Sequence, residues 1–588
     1  MKRLLILVTG AVLLGSAAIL EWNFESREVS AANPGSAGDT AVHRTIPARF
    51  DYAPFAWRTV VNNSNYLPKT KKRFNSYNQP SVSADGHVVF RARGRGQPRA
   101  TGIFVRQVNG PEMTSLADLT VEVPYPNNLG TMFNEFPSIP RISPNTGIIA
   151  TRGNHQPVYR YDLPDGTETR VGTTGVYVMR GDGLVVTGAS KLGLVPGFEH
   201  YSVPGTDNNV AFDVFPGSPA VTDDGTIVFK GNYTVEGMRK TGAFYRRVFN
   251  TPGGGFDAPE AIATTDTEIP GAPPHFGYKE LTFGSVAPPS AVDDVAVFVA
   301  LDNEDDPHFG GLYAAPIKPN PELVPIAEIG KTLPGLEIEE LTGVGEGLSF
   351  DGRYLAFWIS WGNETKTVRL YCPEEGSADR IEYCNGLDPN SVFDKQTGRW
   401  FQERQMPLGQ GVIVYDLLTD TFSRIVTTEE FDDFLFWTYS GHVPGSTGDH
   451  SEGEPPRWRS SAYFSVYDGT IVFKARTGMM GKDNTYLDPI DGIYISDVRA
   501  YPEIRALAET GMDGGVLDPN IPPAIRAAYP ITELGLEREA LRGSYLAISA
   551  KMGSEEDGWA GIYLTNTHDP PTSTVKTDKR GQRKPGLR

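Results

Sequence analysis

One unit recurs along this chain and limits what it can fold into. The unit has a small or Pro-led start, an Asp-Gly turn, an alternating apolar strand, then Gly-[Ile/Val/Ala]-[Tyr/Phe]. The first copy runs from Pro80 through Gly86 to Phe90, followed by Gly102-Ile-Phe104. Later copies centre on Gly147 with Gly175-Val-Tyr177, on Gly225 with Gly242-Ala-Phe244, and on Val295–Phe298 with Gly311-Leu-Tyr313. Others are Leu348–Phe357, the Asp468-Gly469 turn with Gly492-Ile-Tyr494, and a weak seventh, Gly543–Ile548 with Gly561-Ile-Tyr563. Asp-Gly between period-two apolar runs is a hairpin signal. Each copy therefore holds two paired strands and a third at Gly-x-aromatic, with room for a fourth. Copies lie about 60 to 80 residues apart, except for one large gap between Gly352 and Gly469. The reading is an all-β chain, a seven-bladed β-propeller spanning 40–567, with an insert near 372–405 filling the gap. Six or eight blades, or an unclosed solenoid, are the alternatives.

Composition agrees. Gly and Pro are frequent (64 and 46 residues of 588), which suits many short strands and turns. The net charge of −18 excludes a general nucleic-acid binder, and an anionic partner would need a local basic site. Lys2 and Arg3 precede an apolar run to about Leu20, then Ser30, Ala31 and Ala32. This reads as a signal peptide over 1–32, with an uncleaved anchor as the alternative. The expected location is secreted, extracellular or periplasmic, with no membrane attachment after cleavage, as a monomer. Cys372 and Cys384 are close in sequence, and an exported chain would pair them in a loop-closing disulfide. The Lys/Arg-rich stretch 568–588 reads as a basic disordered tail.

Function in such a fold belongs to loops. The approaches to the first strands and the ends of the second strands share the face opposite the Asp-Gly turns. On that rim the sequence places Asn134, His155 and Tyr233, and the reading adds Arg246 and Arg247 at the start of a third strand. An amide, an imidazole, a phenol and a guanidinium suit proton abstraction beside a uronic carboxylate. Arg or Asn neutralises the carboxylate, His or Tyr takes the proton, and Tyr protonates the leaving oxygen. Taken singly, His155 is a loop histidine, Tyr233 a packed aromatic, and one of the two arginines faces solvent.

At these residues the chain resembles the β-propeller ulvan lyases of polysaccharide lyase families 24 and 25. The similar stretches are Phe74–Val82 with Val88–Arg93, Arg152–His155, Phe229–Tyr233 and Thr241–Arg246. The resemblance implies β-elimination on a sulfated uronate polymer, an anionic polysaccharide. It gives His155 and Tyr233 the acid and base roles and Arg246 or Arg247 the carboxylate. It also implies a second histidine where Asn134 stands, with His200 in reserve. A structural Ca2+ is implied too. Asp302, Asn303, Asp305 and Asp306 are its candidate ligands, against a solvated acidic turn. The rival readings are a propeller glycoside hydrolase, with Glu135 and Asp213 as its only rim acids, and a non-catalytic binding propeller.

Overall fold

The computed structural model describes residues 50–568 apart from several short segments, the longest being 250–256, 274–280, 444–455 and 522–528. The signal-peptide reading and residues 569–588 of the tail lie outside the described residues. Seven small antiparallel sheets form a ring, the seven-bladed propeller expected. In blade 1 the strands run, from the axis outward, Phe74–Tyr77 continued by Ser81–Val82, then His87–Gly94, Thr101–Gln107 and Met113–Asp118. Blades 2 and 3 repeat this with second strands Ile149–Asp162 and Thr226–Val235 and third strands Glu168–Met179 and Met238–Arg247. The innermost strand is broken in several blades beside a proline, among them Pro80, Pro140 and Pro219, which has no N–H to give the ladder.

Local chemistry sets each hairpin. Gly86 and Gly225 take φ of +84° and +85°, which the turn requires and glycine alone adopts without cost. The preceding Asp closes the turn: Asp224 Oδ1 accepts the Thr226 amide at 2.9 Å, and Asp351 Oδ1 accepts the Arg353 amide at 2.9 Å.

Close approach explains the Gly-x-aromatic signature. A Cβ on Gly175 would lie 2.7 Å from the Ala189 carbonyl oxygen, and one on Gly242 would lie 2.8 Å from that of Ala263. In both cases the outermost strand shifts register beside this residue and pushes its carbonyl inward. The aromatic two residues on then covers the glycine: the Phe244 ring would stand 2.9 Å from the added carbon. Gly242→Ala is therefore expected to cost about 2–4 kcal/mol, since backbone rather than a flexible side chain must move. Thermal unfolding of the variant checks this, and an unchanged midpoint contradicts it.

The core lies between blades. Val89 and Ile103 of blade 1 pack on Ile149 and Tyr177 of blade 2, and Ala150 and Val176 pack on Phe229 and Phe244 of blade 3. Near the axis Arg141 of blade 2 bridges Glu537 at 3.2 Å and Glu539 at 3.3 Å, both from blade 7. The ring is closed by Arg58–Asn62, which pairs with Trp559–Asn566 as the outermost strand of blade 7.

Blade 5 departs from the repeat. Its second and third strands, Tyr354–Tyr371 and Arg399–Asp416, are 18 residues each; the second runs up to the insert and the third begins within it. The insert is therefore partly strand, and Val392–Asp394 pairs along its edge. Cys372 and Cys384 form the disulfide. Around it Val368, Leu370, Tyr439 and Trp458 make a separate apolar cluster. No helix among the described residues is long and apolar enough to cross a membrane.

Candidate functional site

Pairing with the third-strand glycines identifies equivalent positions on the second strands: Ala92 opposite Gly102, Gly153 opposite Gly175, and Gly231 opposite Gly242. The residues flanking them point to the following blade, because side chains alternate and Val89, Ala150 and Val228 of the same parity pack there. They are Arg91 and Arg93 in blade 1, Arg152 and Asn154 in blade 2, and Lys230 and Asn232 in blade 3. Three successive blades thus put a cation at one height on the face opposite the turns, followed by an arginine or an amide. Blades 4 and 5 put Val299 and Trp358 at the first of these positions.

The arc is unevenly neutralised. In blade 6 the corresponding Lys474 and Arg476 face Asp491, at 3.7 and 2.6 Å. In blade 7 Lys551 pairs with Glu533. In blade 1, by contrast, Arg91 is 7% exposed and its Nε has no hydrogen-bond partner. Burial pulls its pKa down to about 10, Arg93 and Arg99 push the same way, and Glu135 opposes them. Arg91 therefore stays charged at neutral pH. Glu135 lies nearest to Arg99, at 3.5 Å. Buried side-chain oxygens of Asn134, Asn154 and Asn232 also lack partners among the described residues. A buried polar group without a partner is costly, so such a cluster marks where a ligand or ordered water supplies the missing bonds.

Asp491 illustrates the acid side of this rim. Burial alone would raise its pKa, but Lys474 and Arg476 win and hold it at about 2. A depressed carboxylate contributes stability above the unfolded pKa, near 3.9, and loses it as pH falls through the folded value. The Asp491→Asn protein should therefore show a shallower loss of stability than the parent between about pH 4 and 2. Parallel acid titrations followed by circular dichroism test this.

The residues expected from sequence are only partly gathered. His155 faces the cleft between blades 1 and 2, opposite Arg91 and Arg93, and pairs across the ladder with Phe133. It is 2% exposed, and its Nδ1 meets Thr131 Oγ1 at 3.2 Å. Asn134 sits beside Phe133 at a register shift of the same sheet. Tyr233 faces the next cleft, between blades 2 and 3, and is buried with Phe212 and Phe244. Burial raises its pKa, partly offset by the neighbouring Thr264 and Thr265 on the outer edge of blade 3.

Arg246 and Arg247 do not join the rim. They end the third strand rather than begin it, opposite Ile227 and Thr226 beside the turn, whereas Tyr233 pairs with Lys240. Six residues of strand separate the Arg246 and Tyr233 levels, roughly 20 Å along the sheet. Arg246 is 5% exposed and donates to the carbonyls of Asp257, Thr187 and Gly188 at 2.7, 3.0 and 2.7 Å. Its guanidinium also lies 4.9 Å from the Tyr201 ring centroid. It is a packing arginine. Arg247 is exposed at the turn end. His200, whose pKa is lowered by burial and then by Arg246, shares that outer cluster. Of the two rim acids, Asp213 accepts from Thr234 Oγ1 at 2.8 Å, and it stands one blade away from Glu135.

The acidic loop after blade 4's second strand does not fit a calcium cage, which needs six to eight converging oxygens. Asp302 Oδ1 accepts the amides of His308 and Phe309, both at 3.0 Å, and Asn303 accepts the Asp305 amide at 3.0 Å. Arg457 supplies the countercharge, pairing with Asp305 and, at 3.1 Å, with Glu304. Asp306 is exposed. Among the described residues no group of three or more His, Cys, Asp and Glu is placed to hold a metal.

No protein-family model matches the chain, and no curated protein matches it. Among solved structures it is similar to the β-propeller domain of the Trilobed protease from Pyrococcus furiosus, at 10% identity and TM-score 0.36 over 85% of this chain and 100% of that one. It is similar to the polysaccharide lyase Uly1 at 9% identity and TM-score 0.37, over 88% and 100%. A third is the GH32 β-fructofuranosidase of Bombyx mori, at 10% identity and TM-score 0.25, over 86% and 93%. A protease domain, a lyase and a glycosidase at these scores assign no activity to this chain.

Proposed function

We propose that this propeller binds an acidic polysaccharide across blades 1 to 3 and cleaves it by β-elimination beside a uronic acid. The observation that carries the reading is the register-equivalent arc of Arg91, Arg152 and Lys230 in a chain of net charge −18. A local cationic strip against a negative field is a cost unless an anion uses it. The orphaned amide oxygens beside it suit sugar hydroxyls, which donate.

The cleft between blades 1 and 2 holds the parts for elimination. Arg91 and Arg93 neutralise the uronate and so acidify the proton alpha to it, and Asn134 assists. His155 is the base. Its Nδ1 is taken up by Thr131, so the transfer is assigned to Nε2. The C–H electron pair forms the new C=C bond as the glycosidic C–O bond breaks. The imidazolium returns its proton to the leaving oxygen. The His155 ring is 2% exposed, so substrate reaches Nε2 only as the cleft opens, with Nδ1 kept on Thr131. Tyr233 stands with Arg152 and Asn154 in the neighbouring cleft and is the acid-base candidate there, with burial raising the pKa of its phenol.

The test is incubation with a panel of uronate-containing polysaccharides, followed by ultraviolet absorbance of the unsaturated product. New reducing ends without that absorbance would mean hydrolysis, and binding without new ends would mean a binding propeller. His155→Ala is expected to lose at least about a hundredfold in rate. A larger loss in Tyr233→Phe than in His155→Ala would move the chemistry to the second cleft.

A further inference from the structure

Between residues 53 and 111 the chain carries ten Lys and Arg and a single acid, Asp85, in a protein of net charge −18. Asp85 belongs to the blade 1 turn, where it pairs with His87 at 2.9 Å. Six of the cations stand on two loops of the opposite face. Lys69, Lys71, Lys72 and Arg73 lead into the first strand of blade 1, and Arg95 and Arg99 follow its second. Lys72 is half-buried and the other five are exposed. The loops are fixed to one another. The Arg95 amide donates to the Arg73 carbonyl at 2.9 Å, the Gly94 amide to the Ala100 carbonyl at 2.9 Å, and Lys72 Nζ to the Pro98 carbonyl. Beneath them Leu67 is buried, and a Cβ on Gly94 would lie 3.0 Å from its side chain. Among the described residues the six cations make one ion pair, Arg99 with Glu135 at 3.5 Å. Like charges gathered on a fixed surface repel, and one carboxylate offsets little of that.

We infer that these two loops are a docking surface for the repeated anionic groups of a linear acidic polysaccharide, outward of Arg91 and Arg93. The strand that carries Arg91 and Arg93 runs straight into the second loop, so the cations continue at alternate residues to Arg95. Within the strand that spacing is about 7 Å. A polymer with acid groups at intervals is then held at several points at once, and its affinity grows with chain length. The surface suits a polysaccharide better than a nucleic acid. Single strands stack their bases on open aromatic rings, whereas the exposed ring here, Tyr66, has the Arg73 guanidinium over it, 5.3 Å from its centroid. A duplex carries a denser charge, which the negative field of the rest of the protein opposes.

The choice of ligand rests on the reading of this face as a polysaccharide site, and the test keeps the two apart. The triple variant Lys69→Gln, Lys71→Gln, Arg95→Gln removes three exposed cations of the surface. A control, Lys318→Gln, Lys331→Gln, Lys395→Gln, removes three exposed cations from blade 4 and the insert, and changes the net charge equally. Binding of the whole protein to polygalacturonate, to dextran sulfate and to DNA is measured by calorimetry at two salt concentrations. The parent is expected to bind at least one of the two polysaccharides. The surface variant should bind it at least about tenfold more weakly and with less dependence on salt, while the control matches the parent. Which polymer is preferred tells carboxylate from sulfate ester as the anion. Binding of neither polysaccharide by the parent, equal binding by the surface variant, or an equal loss in the control overturns the docking surface. Tighter binding of DNA than of either polysaccharide overturns the choice of ligand. Binding that depends on these cations, with no unsaturated product formed from any uronate polymer, supports the docking surface and counts against elimination.

Discussion

Replacing Arg91 by Met is expected to lower eliminative turnover at least about a hundredfold while the protein folds normally. The reason is electrostatic. Arg91 is almost wholly buried, and its Nε is without a partner. A charge held this way acts at low effective dielectric on whatever anion reaches it, far more than a solvated charge would. Removing the α-proton of a uronate builds negative charge on the carboxylate, and that build-up is what the guanidinium offsets. Arg91→Lys keeps the charge but not the planar fork, so an intermediate loss is expected. Substrate affinity should also fall with added salt, mainly through the more exposed Arg93. Rates and affinities at two ionic strengths test all of this. Normal turnover in folded Arg91→Met would remove the first cleft from the mechanism.

The second large effect concerns stability. Asp518→Ala is expected to cost about 3–5 kcal/mol. The Asp518 carboxylate is fully buried and accepts from Thr59 Oγ1 at 3.0 Å, Asn62 Nδ2 at 2.9 Å, Trp559 Nε1 at 2.7 Å and Tyr563 hydroxyl at 3.2 Å. Two donors belong to the ring-closing strand and two to the strand it joins. Truncation strands the buried Asn62 and Tyr563 donors and takes a partner from the half-buried Thr59 and Trp559. Denaturant unfolding measures the loss. Proteolysis under native conditions should then cut first near Arg58–Asn62, and uniform cutting around the ring would show that Asp518 does not act at the closure.

Much of the architecture was legible because its causes are local. The Asp-Gly turns need only their own residues, and the Gly-x-aromatic strands announce a carbonyl pressed against them. The site was less legible, because it depends on register. Gly242 reads as the start of a strand, yet the hairpin begins at Met238, and that difference carries Arg246 and Arg247 to the far end. The arc of Arg91, Arg152 and Lys230 hides behind a change of residue type. Comparing the repeats from the shared Ala or Gly outward would have shown it. The acidic loop misled for another reason. Its countercharge, Arg457, is 152 residues away from Asp305 in sequence, and nothing near the loop betrays it.

The closure of the ring has a consequence for how the molecule comes into being. Arg58 finds its partner at Leu564, across nearly the whole chain. Among the described residues, the earliest strand to emerge during synthesis must wait, with its backbone amides unclaimed, until almost the last one exists. Up to that moment the unfinished array shows a raw edge to its neighbours. Assembly of this protein is thus a race between the two ends of one polypeptide and any other molecule that offers the idle strand a mate.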